Sequence, residues 1–121
     1  MKCLFNKQLF IEIPWPHHDC SQNSNKHWRK MHAARKQQKT ETKKLCEILP
    51  QKLNADSVAV AIMFYPPDNR RRDADNMLSS IKAALDAISE RIGIDDSKFW
   101  PITLNRSEKT DNARVEITLT I

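Results

Sequence analysis

The chain has 121 residues, with 20 Lys plus Arg against 15 Asp plus Glu and a net charge of +5. One domain with a modest core is expected, with part of its stability at a subunit interface, and the basic balance favours polyanionic partners, nucleic acid first. No apolar run is long enough to span a bilayer and no secretory signal is visible, while Cys3, Cys20 and Cys46 are odd in number and widely spaced, so a membrane protein and a disulfide framework are both disfavoured and a reducing cytoplasm is expected.

Lys7 to Pro14 reads as a strand, with Leu9, Ile11 and Ile13 alternating against Phe10 and Glu12. Pro14 and Pro16, on either side of Trp15, stop it. His17 to Ser24 is polar and loop-like. Its His17, His18 and Cys20 suggest zinc, but the spacing fits no structural zinc pattern and a fourth ligand is not obvious, so a plain polar loop is the better reading.

Ser24 or Asn25 can cap a helix running to about Ile48. Between Lys26 and Lys44 there are eight Lys or Arg and one acid, Glu41. The apolar stripe is thin: Trp28, Met31, Ala34, then Leu45, Ile48 and Leu49. Such a helix is either a solvated charged rod or a rail for phosphates, and the sign bias favours the rail. Its candidate nucleic-acid contacts are Lys26, Trp28, Arg29, Lys30, Arg35 and Lys36. Pro50 ends the helix.

Ser57 to Tyr65, SVAVAIMFY, is continuously apolar and reads as a central strand buried on both faces, stopped by Pro66 and Pro67. The stretch from Asn69 to Asp96 follows, and the rest of the chain is organised around it. It opens with Arg70, Arg71 and Arg72, then Asp73 and Asp75 two apart, then Asn76. If extended, that segment points both carboxylates the same way. Like charges held so close call for a hard divalent cation, for which Mg²⁺ is suited because it takes one or two carboxylates and keeps waters for a phosphate to displace. Arginines beside it suit phosphate oxygens. Acid for metal next to base for phosphate is the layout of a nuclease site.

From Asn76 a helix is predicted to about Ile92, with Leu78, Ile81, Leu85, Ile88 and Ile92 facing the core and Gly93 ending it in a left-handed turn. On that helix Asp75, Lys82 and Asp86 share one flank, and Lys82 either reaches back toward the acids or pairs with Asp86. Asp95 and Asp96 follow, and as a pair they also suit a polar turn. Phe99 to Asn105 and Ala113 to Ile121 read as two strands joined as a hairpin by Arg106 to Asn112.

RRRDADN, then a helix carrying KAALDAI, then IDDS, resembles the RusA-type Holliday-junction resolvases, small endonucleases often carried by phages or prophages. The resemblance runs from about Pro14 to the C-terminus. It implies a metal-dependent endodeoxyribonuclease that acts as a homodimer on four-way DNA junctions, with Mg²⁺, or Mn²⁺ in its place, and no small-molecule cofactor. It implies a single α+β domain over residues 1–121, a small mixed β-sheet packed with two main helices in an interlocked homodimer, working in the cytoplasm of a bacterial host if phage-encoded. Asp73, Asp75 and Asp96 are implied as catalytic metal ligands, with Asp95 the alternative to Asp96. Lys82 is implied as the catalytic lysine, and Asn76, the last residue of the D-x-D-N motif, as a DNA contact beside Arg70, Arg71 and Arg72. The chain departs from the pattern at one point: the family's lysine stands four residues after the second aspartate, where this chain has Ser79, and Lys82 is three further on.

A straight helix from Asn76 to Ile92 is about 25 Å long, which separates Asp75 from Asp96. The chain folds back, the helix breaks, or a partner subunit supplies the third acid. Two other readings stay open: a non-catalytic nucleic-acid-binding module, and a metal-dependent nuclease for flaps or single strands.

Overall fold

Alternating apolar residues on three strands build one buried sheet face. The computed structural model describes residues 7–21 and 28–121. Strand β1 is Gln8–Pro14, β2 Val58–Tyr65, β3 Phe99–Arg106 and β4 Arg114–Thr120. Helix α1 is Trp28–Leu45, α2 Ala74–Ser80 and α3 Lys82–Ile92. The sheet order is β1-β4-β2-β3. β4 pairs antiparallel with both β1 and β2, whereas β3 runs parallel to β2. The molecule is thus a single α+β domain with a mixed sheet.

The core lies between one sheet face and the helices. Ile11 and Ile13 of β1, Val58, Val60, Ile62 and Phe64 of β2, and Val115, Ile117 and Leu119 of β4 are buried against Ile81, Ala84, Leu85, Ile88 and Ile92. Each fully buried Val, Ile or Leu contributes about 1.5–3 kcal/mol. β2 is interior in the sheet but is not buried on both faces. Val58, Val60, Ile62 and Phe64 are buried, while Ala61 is exposed and Ala59, Met63 and Tyr65 are partly exposed. The apolar run hides a period of two because small Ala occupies the open face.

The last two strands do not form the expected hairpin. β2 lies between them. Their connection arches over the end of β2, where Ser107 N–H donates to the Phe64 carbonyl at 2.9 Å and Thr110 N–H to the Pro66 carbonyl at 2.8 Å. A polar loop after a strand reads the same in sequence whether the chain turns to pair with itself or crosses a neighbour.

The expected single helix from Asn76 to Ile92 is two helices, broken at Ile81 (φ −117°, ψ 14°). In an unbroken helix Ala84 N–H would donate to the Ser80 carbonyl, four residues back. Here the side-chain amide of Gln38, from α1, takes both positions. Its Nε2 donates to the Ser80 carbonyl at 2.8 Å, and its Oε1 accepts from Ala84 N–H at 3.1 Å. Ile81 still faces the core, fully buried. Gly93 ends α3 in the left-handed region (φ 74°), where an added Cβ would lie 3.2 Å from the Lys52 Cα.

Helix α1 packs by only part of the face its apolar residues mark, where Met31 and Ala34 are partly buried. Trp28, Leu45 and Ile48 are exposed, and a single 3-10 turn over Cys46–Ile48 replaces the helix's predicted last turn. The rest of the packed face is polar, with Arg35 and Gln38 half-buried and Thr42 buried. Helix α1 therefore braces the helix break rather than lying on the core through a greasy stripe. The predicted caps Ser24 and Asn25 lie outside the described residues, as do Cys3 and Lys26. No helix among the described residues is long and apolar enough to cross a membrane.

Candidate nuclease site

The arginine-aspartate segment follows the proline stop of β2, so a buried strand carries it. A cavity of about 610 Å³ opens there, lined by Trp15, His17 and His18 on one side and by Arg70, Arg71, Arg72, Asp73 and Asn76 on the other. Asp73 is the N-cap of α2, in extended conformation (φ −84°, ψ 145°), and Asp75 lies in the first helical turn. The two aspartates therefore straddle a helix start instead of alternating along a strand. An N-cap aspartate ordinarily accepts a hydrogen bond from the first turn. Asp73 makes no such bond. Its carboxylate is half-exposed and lies 3.7 Å from Arg71 Nε. Asp75 is exposed, and its Oδ1 accepts from Asn76 N–H at 3.0 Å.

The three arginines divide into two kinds. The side chains of Arg70 and Arg71 are 83% and 93% exposed. Arg72 is only 19% exposed and is spent on the fold. Its guanidinium donates to Asp68 Oδ1 at 2.7 Å and to the carbonyls of Asp68 and Arg70, and it lies over the Trp15 ring at 5.2 Å. Arg72 therefore has a structural role beside its place in the cavity wall. The Arg70 N–H bond, together with the Arg72 hydrogen bond and charge, holds the Asp68 carboxyl below its ordinary range. Arg35 is likewise bonded into the fold. Its guanidinium donates to the Cys20 carbonyl at 3.2 and 3.0 Å and to Ser79 Oγ at 3.0 Å, tying the turn after β1 to α2. Trp28, Arg29, Lys30 and Lys36 are exposed on α1, with the Arg29 guanidinium 5.6 Å from the Trp28 ring centroid.

The later acids form a second group. Asp95 caps the following 3-10 turn, its Oδ2 accepting from Ser97 N–H at 3.1 Å. Asp96 instead lies next to Asp86 of α3. Burial first, then the adjacent Asp96 carboxyl, holds the Asp86 carboxyl above its ordinary range, while Lys39 and Lys82 act the other way. Asp86, which the sequence offers both as the acid four residues after Lys82 and as its ion-pair partner, thus stands next to Asp96. Its signal was its position: four residues before Glu90 and ten before Asp96, on the flank of α3 that meets α1 through Lys39 and Glu90, paired at 3.0 Å.

Carboxylate oxygens are hard donors that suit Mg²⁺ or Mn²⁺. The free Asp73 carboxylate and the Asp86–Asp96 contact, which a cation would relieve of repulsion, both fit such an ion. Among the described residues, the group of three ligands that converges within 4.8 Å is not formed by these acids but by His17, His18 and Asp19. Cys20, suggested with those histidines, is buried and stands outside that group.

Comparison with known proteins bears on the whole chain. It is 30% identical over 118 residues to an uncharacterized protein of Xylella fastidiosa strain Temecula1, an alignment spanning 91% of this chain and 74% of the relative. The family profile described as endodeoxyribonuclease RusA matches residues 14–120, from the proline stop of β1 through the end of β4, and so takes in both groups of acids and the helix break between them. The chain belongs to the endodeoxyribonuclease RusA family.

Proposed function

We propose that the protein is a divalent-metal-dependent endonuclease that resolves four-way DNA junctions as a homodimer in the bacterial cytoplasm. The observation that carries this reading is the Asp73 carboxylate, which makes no capping bond at the start of α2 and stands beside the exposed Arg71 in an open cavity.

Asp73 and Asp75 would hold the cation, with Asp96 as the third acid. Mg²⁺ supplies Lewis-acid polarisation of the scissile phosphate and a lowered pKa for bound water. Arg70 and Arg71 hold neighbouring phosphates, their guanidiniums being exposed and each engaged in a single 3.7 Å ion pair, with Asp68 and Asp73 respectively. Lys82, exposed and close enough to Asp86 to act on its charge, offsets negative charge on the reacting phosphate. Trp28, Arg29, Lys30 and Lys36 extend the positive surface along α1. A four-way junction has approximate two-fold symmetry, and a two-fold dimer presents two matched sites to it. The third acid comes either from the same chain across the helix break or from the partner. Mixed dimers of Asp75→Asn and Asp96→Asn subunits separate the two arrangements, because a composite arrangement leaves one intact site in the mixed dimer.

The direct test incubates the protein with a mobile four-way junction, a flap and a linear duplex, with and without Mg²⁺ or Mn²⁺. Paired nicks in the junction alone, abolished by Asp75→Asn with binding retained, are expected. Tight binding without cleavage under any divalent metal would overturn the catalytic reading, and equal cutting of flaps would overturn the junction assignment.

A further inference from the structure

The turn after β1 carries a constellation that the nuclease chemistry does not use. One 3-10 turn, His18–Cys20, brings three consecutive polar side chains together. The His17 and His18 rings stack with centroids 4.2 Å apart, so both imidazoles project to the same side. Asp19 faces them: its Oδ2 lies 3.7 Å from His17 Nδ1 and its Oδ1 3.2 Å from His18 Nε2. Asp19 Oδ1 is buried without a hydrogen-bond partner. A buried carboxylate oxygen lacking a donor is costly, and a cation shared with the imidazoles supplies what is missing.

The donor set decides which cation. Two imidazole nitrogens and one carboxylate oxygen match Zn²⁺ and its transition-metal neighbours, not the hard Mg²⁺. One ligand atom from each residue already lies within 4.8 Å of the others. Tetrahedral zinc with bonds of about 2.1 Å sets its ligands roughly 3.4 Å apart, so closing on a metal needs rotations of little more than 1 Å. The imidazole side chains are 59% and 73% exposed and free to make them, while Asp19 is 14% exposed and fixed. The backbone beneath is pinned. Cys20 N–H donates to the His17 carbonyl at 2.9 Å, and Arg35 clamps the Cys20 carbonyl. His17 Nδ1 currently accepts from Asp19 N–H at 3.1 Å, a bond that ligation through that nitrogen would exchange for the metal.

We propose that His17, His18 and Asp19 form a binding site for one transition-metal dication of the Zn²⁺ class, separate from the hard-cation site at Asp73 and Asp75. Three protein ligands leave a fourth position for water or a phosphate oxygen, the pattern of an open site and not a closed structural one. His17 and His18 line the same cavity as Asp73 and Asn76, so a metal held there sits in the wall that faces the DNA.

Calorimetric titration of metal-free protein with zinc chloride tests this, alongside the Co²⁺ absorption spectrum. One Zn²⁺ per chain is expected in the wild type and in the Asp73→Asn, Asp75→Asn double variant. His17→Ala and His18→Ala each lower the affinity at least about tenfold, and His32→Ala leaves it unchanged. Both substituted histidines are exposed, so circular dichroism should match the wild type, with a small drop in melting temperature for His17→Ala, which loses the bond from Asp19 N–H. Unchanged zinc binding in both histidine variants overturns the assignment, as does loss of zinc only in the aspartate double variant. A thiolate-to-metal charge-transfer band in the Co²⁺ protein also overturns it, because it places a cysteine in the site.

Discussion

Removing the Gln38 amide should loosen the joint between α2 and α3. The side chain makes two hydrogen bonds to main-chain groups, at 2.8 Å to the Ser80 carbonyl and 3.1 Å from Ala84 N–H. Each is worth about 1 kcal/mol net, and leaving Ala84 N–H without an acceptor adds about 1 kcal/mol more, since that residue is fully buried. Gln38→Ala should therefore cost about 2–3 kcal/mol, or roughly 6–12 °C in melting temperature for a domain of this size. Gln37→Ala is the control. Gln37 donates only to exposed Glu41 at 3.1 Å, a helix-surface contact worth roughly 0.3 kcal/mol. Gln38→Glu keeps the acceptor for Ala84 but sets a carboxylate against the Ser80 carbonyl, so at neutral pH it should destabilise at least as much as Ala. Protonation at low pH restores a donor and should recover part of the loss. Urea and thermal melts followed at 222 nm read all three. The reasoning fails if Gln38→Ala melts within the error of Gln37→Ala, or if its helical signal rises because the two helices have fused.

The two classes of arginine should separate cleanly. Arg71→Ala should leave the melting temperature unchanged and weaken junction binding, with the salt dependence of log K reduced by about one unit of slope. Arg72→Ala should lower stability by about 1–2 kcal/mol, because it removes a charged hydrogen bond to Asp68 and uncovers Trp15. The buried thiols should be silent: burial pushes Cys46 up to about 11 and raises Cys20 as well. The reactive thiolate fraction is therefore depleted at pH 8, and Ellman's reagent followed by peptide mapping should label Cys20 and Cys46 only after unfolding.

Much of this architecture is written in local patterns. The period-two runs of β1 and β4, the apolar β2, the glycine stop at Gly93 and the aspartate pair at the head of α2 each follow from neighbours in sequence. The misses share one cause, which is that the deciding contact comes from far along the chain. Leu78, Ile81, Leu85, Ile88 and Ile92 keep helical spacing through the break, and nothing between them is glycine or proline. Only Gln38, more than forty residues earlier, fills the missing rung. The structural bonds of Arg35 and Arg72 are not legible in the sequence, because a guanidinium's commitments are invisible until its acceptors are placed. The hairpin failed because β2 inserts between β3 and β4. Asp86 went unranked because its tie to Asp96 is made across a turn.

The splint at Ile81 also bears on the spacing between Asp75 and Lys82. In a continuous rod, three added residues swing everything beyond them by about 300° and advance it by about 4.5 Å. A joint bridged by a foreign amide breaks that arithmetic. Residues can be gained near Ser79 and Ser80 while each rod keeps its own seating, Asp73 and Asp75 at one end and Asp86 at the other. Reach between the acids is then set by where α1 stands, and sequence distance along the helices loses its authority as a ruler.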